Sequence, residues 1–79
     1  MSNTLVELAT RESELIRYLE SFRRPQLIED MKQQVHLLAI ETPEPFSLEL
    51  MYRLANTAAI GMIRSERLQR FVGMISLFA

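Results

Sequence analysis

The sequence predicts an all-α fold, and three observations carry that expectation. Apolar residues recur at spacings of three and four over most of the 79 residues, which is the period of a helix face rather than of a strand. Two glycines and three prolines are few, and the prolines fall where helices would start or stop. The final stretch, residues 71–79, holds six large apolar side chains and no charge. Chain ends are normally polar and loose, so a greasy end implies burial against something.

The first helix is expected over about residues 4–23. Thr4-Leu5-Val6-Glu7 has the spacing of a capping box, with the hydroxyl and the carboxylate able to satisfy each other's backbone amides. Leu8, Leu15, Leu19 and Phe22 follow at heptad spacing, and Val6, Ile16 and Tyr18 widen the stripe. Pro25 would clash with the Ser21 carbonyl inside a continuous helix, at a cost of ~3 kcal/mol, but suits the first turn of a new one. A break is therefore expected at Arg23-Arg24, with a second helix over about 25–40. Ile28, Met31, Val35 and Leu38 form its apolar seam, and Glu29 and Asp30 sit where the helix dipole favours acids.

Glu41-Thr42-Pro43-Glu44-Pro45 ends that helix, because two prolines one residue apart push their predecessors into extended backbone. Ser47 then reads as an N-cap, with Phe46 placed as a hydrophobic staple and Glu49 in the first turn. A long third helix is expected over about 47–77. Met51, Leu54, Ala55, Ala58 and Met62 define its first apolar stripe; Leu68, Val72 and Ile75 define a second, turned by roughly 100° on the helical wheel. The turn permits either one continuous helix or a bend between Gly61 and Ser65. A continuous helix of thirty-odd residues would be ~45 Å long. A globule of this length has a radius of gyration of only ~12 Å, so the helix would overhang it. The expected architecture is one domain, 1–79: an antiparallel helical hairpin packed with a long or bent C-terminal helix, assembled as a helical dimer.

Composition narrows the function. A chain this short buries only ~60% of its unfolded surface and gains little from one core, so small proteins lean on disulfides, metals or association. There is no cysteine, and His36 is the only histidine. Disulfides, thiolate metal sites and histidine clusters are thereby excluded, and association becomes the expected source of added stability. Charged residues make up 24% and apolar residues 48% of the chain, the balance of an ordinary globular domain. Four glutamates in the first twenty residues argue against a signal peptide, and no apolar run reaches the ~20 residues of a membrane span. A cytoplasmic protein is expected.

No set of residues suggests catalysis. His36 has Lys32, Gln33, Ala39 and Ile40 as helical neighbours, none of them a carboxylate or nucleophile. The acid pairs Glu12/Glu14 and Glu29/Asp30 are one or two residues apart and do not face each other on a helix. No metal and no cofactor is expected, and no enzyme activity. What the sequence offers is surface. Met62, Leu68, Phe71, Val72, Met74, Ile75 and Phe78 are the expected interface with a second copy or another protein. Met31, Met51, Met62 and Met74 all occupy apolar positions, and methionine adapts to irregular neighbours.

Charge is divided unevenly: residues 1–49 hold nine acids and five bases, whereas residues 50–79 hold four arginines and one acid. This favours antiparallel pairing of the halves or of two copies. Arg53, Arg64, Arg67 and Arg70 form a possible basic face on one side of a continuous helix. Phosphate binding uses such clusters. The net charge of −1 and the lack of aromatic residues between the arginines oppose that use. The expected function is a protein–protein interaction module, such as an adaptor, chaperone or inhibitor. The alternatives are a small transcriptional regulator using the arginine face, and a peripheral membrane binder laying the C-terminal helix on head groups.

Overall fold

The computed structural model describes the backbone of residues 4–78 and the side chains of residues 4–73. It is all-α, as the periodicity predicts. Four α-helices run in the order α1 (Thr4–Thr10), α2 (Glu12–Glu20), α3 (Ile28–Glu41) and α4 (Leu48–Phe78), with a single 3₁₀ turn at Pro25–Leu27 leading into α3.

The expected first helix is two helices. Arg11 leaves helical geometry, with φ −106° and ψ 25°, and separates α1 from α2. The hydrogen-bond ladder is bent rather than cut, because the Arg11 amide still reaches the Glu7 carbonyl at 3.0 Å and the Leu15 amide reaches the Arg11 carbonyl at 3.0 Å. Thr10 returns its hydroxyl to the Val6 carbonyl at 3.0 Å. Such back-bonding competes with the ladder and bends helices. The bend lets α1 pack on α3 and buries Thr4 and Leu8, while Val6 faces solvent. Val6 was expected to widen the buried stripe and does not.

The break before Pro25 lies where expected. Amides of Ser21, Phe22 and Arg23 bond three residues back, tightening the end of α2. Arg23 itself adopts φ 58°, the left-handed region, and reverses the chain. Thr42 ends α3 with φ −94° and ψ 120°, the extended backbone that Pro43 demands, and its hydroxyl satisfies the Leu38 carbonyl at 2.7 Å. Ser47 caps α4: its side-chain oxygen accepts the Leu50 amide at 3.0 Å.

The core draws Leu8, Leu15 and Leu19 from α1 and α2, Met31, Val35 and Ala39 from α3, and Leu50, Met51, Leu54, Ala55, Ala58 and Ala59 from α4. Tyr18, Phe22, Leu38, Phe46, Met62 and Ile63 pack around it. All of the α4 core residues lie between 50 and 59. The helix nevertheless continues without a break to Phe78, through Gly61 and Ser65. Its 31 residues give ~46 Å of rod. The molecule measures 51 × 23 × 16 Å with a radius of gyration of 14.7 Å, above the ~12 Å of a compact chain of this length. The end of α4 therefore projects past the bundle.

Candidate protein-docking surface

The projecting part of α4 begins after Glu66. Ile63 and Glu66 are the last half-buried residues of the helix among the described side chains, and every described residue from Arg67 to Gly73 is exposed. Glu66 forms the anchor at this point. Its carboxylate lies 3.7 Å from Arg24 Nε in the loop before α3 and 3.3 Å from the Arg70 guanidinium one turn further on. Beyond that anchor Leu68, Phe71 and Val72 are 63%, 60% and 58% exposed. Helical spacing puts all three on the side of α4 opposite Glu66. Three large apolar side chains in one arc of an unsupported helix are a contiguous apolar surface, not scattered exposure.

Of the expected interface residues, Met62 is half-buried at the edge of the core, and Leu68, Phe71 and Val72 form the exposed patch. The side chains of Met74, Ile75 and Phe78 lie outside the described residues.

The same side of α4 carries an open groove nearer the bundle. Gln34 and Leu38 of α3 and Thr57, Ala58, Gly61 and Met62 of α4 line a cavity of about 370 Å³. A Cβ placed on Gly61 would meet nothing within 4 Å, so the α4 backbone is directly approachable there. The sequence alone does not reveal this groove, because Gln34 and Leu38 reach it only through the packing of α3 on α4. A second depression, of about 290 Å³, lies between α2 and α4, where Tyr18 stacks edge-on against Tyr52 with ring centres 5.0 Å apart.

The four arginines differ in their partners. Arg53 reaches back to Glu44 in the preceding loop, with its guanidinium 2.7 and 2.6 Å from the two carboxylate oxygens. That pairing holds Arg53 more firmly protonated than a free arginine. Arg70 is paired with Glu66. Arg64 and Arg67 make no ion pair among the described residues. The expected pairing of the acidic half with these arginines is thus realised only by Arg53 and Glu44. Three acids of α1 and α2 have other partners: Glu7 and Glu14 flank Arg11, and Glu12 binds Lys32 of α3 at 2.8 Å. Hydrogen bonding to Lys32 lowers the Glu12 carboxyl below its ordinary value of 4.5, and the same bond raises Lys32 above 10.5.

Among the described residues no group of three or more histidines or acids is placed to hold a metal ion, and no helix is long and apolar enough to cross a membrane. Comparison of the chain with protein-family models, with curated proteins and with solved structures finds no match.

Proposed function

We propose that this chain is a protein–protein interaction module whose working part is the projecting end of α4. The observation that carries this reading is the patch of Leu68, Phe71 and Val72 on a helix that has left its own core. Full burial of such side chains is worth about 1.5–3 kcal/mol each, and this fold leaves most of that unrealised. An amphipathic helix presented in this way is a familiar means of protein recognition, with anchors three and four residues apart laid into an apolar groove. The transcriptional-regulator alternative has less support, because Arg53 and Arg70 are already engaged by carboxylates and only Arg64 and Arg67 remain for phosphates.

The test is photo-crosslinking in living cells from a benzoylphenylalanine placed at Phe71. A docking helix gives discrete protein adducts that disappear when Leu68→Asp is added. Absence of any protein adduct, or adducts indifferent to Leu68→Asp, overturns the reading.

A further inference from the structure

We propose that Gly73 is a switch point built into α4, where the helix exchanges between two forms. One is the continuous form that runs to Phe78. The other stops at Gly73, with that residue in the left-handed conformation. The switch lies in the backbone of α4 and does not depend on what the surface of Leu68, Phe71 and Val72 binds.

The first support is the cost of glycine at this place. In the continuous form Gly73 is an interior helical residue without positive φ. Glycine is the poorest helix former after proline, because its unfolded chain has the most freedom to lose. Nothing in the single chain asks for it there. A Cβ at Gly73 would meet nothing within 4 Å, so alanine would fit and would hold the helix better. Gly61 is equally open, but the core holds α4 on both sides of it, through Ala58 and Ala59 before and Met62 and Ile63 after. Gly73 has no such support. Among the described side chains the last link of α4 is Arg70 to Glu66 at 3.3 Å, and Phe71, Val72 and Gly73 beyond it are exposed.

The second support is that the residues around Gly73 spell a helix end. Helices commonly close with a glycine just past the last residue and a cation in the last turn. Arg70-Phe71-Val72-Gly73 has that pattern. The end at Phe78 lacks it: α4 has no basic residue in its last turn, and alanine follows. With Gly73 left-handed, its amide and that of Met74 donate to the carbonyls of Arg70 and Gln69, which are the two bonds of a Schellman end. Against this stop, the apolar spacing of Leu68 and Val72 continues in the sequence to Ile75. A stop signal and an apolar stripe thus conflict at one glycine, and the conflict leaves two forms close in stability. Burial of the stripe favours the long form; water around it favours the short one.

The test is amide hydrogen exchange, read residue by residue by NMR on the purified full-length chain in dilute solution. The native chain should show a step: amides up to Met74 are protected, and those of Ile75 to Phe78 exchange about tenfold faster. Ordinary end fraying gives a smooth decline instead. Gly73→Ala adopts the left-handed conformation only at a cost, so it should remove the step and slow Ser76 and Leu77 about fivefold, the equivalent of a glycine-to-alanine change inside a helix. Gly73→Asn should keep the step, because asparagine enters the left-handed region readily. At a plain interior position asparagine would instead extend protection, as alanine does. Unchanged amides from Leu50 to Ala59 report that each variant is folded. A smooth decline in the native chain, even protection to Phe78, or a step lost with asparagine as with alanine overturns the proposal. None of these results bears on the docking reading, which stands or falls with the Phe71 adduct.

Discussion

Arg23 is where single-residue physics is most exposed to test. It is the only non-glycine described with positive φ, at 58°, and it is solvent-exposed at the reversal between α2 and α3. The left-handed region costs an L-residue about 1–2 kcal/mol, because Cβ approaches the following carbonyl oxygen. Glycine escapes that cost but gives back about 0.5–1 kcal/mol through the greater freedom of its unfolded chain. Arg23→Gly should therefore raise the unfolding free energy by about 0.5 kcal/mol, read from urea denaturation. A loss of stability would mean that the Arg23 side chain contributes more than its backbone costs. The position of this reversal was legible in the sequence because Pro25 forbids the Ser21–Pro25 turn of a helix. That Arg23 would take the left-handed conformation was not, since neither Arg23 nor Arg24 is a glycine or asparagine that would mark the site.

Among the elements, the contact between α2 and α3 offers a pH test. Glu12 and Lys32, twenty residues apart in sequence, meet at 2.8 Å. The carboxyl is lowered from 4.5 on folding, so its stabilisation is present above that value and is lost as pH falls through the lower folded one. The ammonium is raised from 10.5, so its share is present below that value and is lost as pH rises through the higher folded one. Lys32→Gln should therefore lower the melting temperature only between these limits, and the gap to the native chain should close on both the acid and the alkaline side. A gap that persists in strong acid would show that Lys32 acts through its methylene stem rather than its charge. Heptad spacing made the buried members of these elements readable: Leu8, Leu15, Leu19, Met31 and Val35 are all in the core. Ala39 and Leu50 were not singled out, and Val6 was misassigned. Val6 lies about 160° from Leu8 on a straight wheel, opposite the stripe of Leu15 and Leu19, so its exposure follows from spacing alone, whereas the bend at Arg11 has no mark in the spacing. The arginines show the same limit. Their common side follows from spacing, but whether Arg53 reaches Glu44 depends on the course of the proline-rich loop.

At the scale of the whole molecule, two halves of one helix differ in burial. From Leu50 to Ala59 α4 closes the core; past Glu66 its Leu68, Phe71 and Val72 stand more than half exposed, outside the core. The turn between the two apolar stripes, visible in the sequence, is the origin of this division. The second stripe faces away from the bundle, and a continuous helix cannot bring it back. The groove at Gln34, Leu38, Thr57 and Gly61 and the patch at Leu68 to Val72 together leave the isolated chain with both an unfilled site and an unburied surface. The proposed docking would cover that surface. On the proposed reading the second stripe serves binding and not the fold of the single chain. The most direct test is the unfolding free energy of Leu68→Ser/Phe71→Ser/Val72→Ser in dilute solution, compared with the native chain under the same conditions. Agreement within about 0.5 kcal/mol is expected, the range of surface substitutions. A loss of about 3 kcal/mol or more, the scale of emptied core positions, would contradict it by placing these side chains inside the protein's own core.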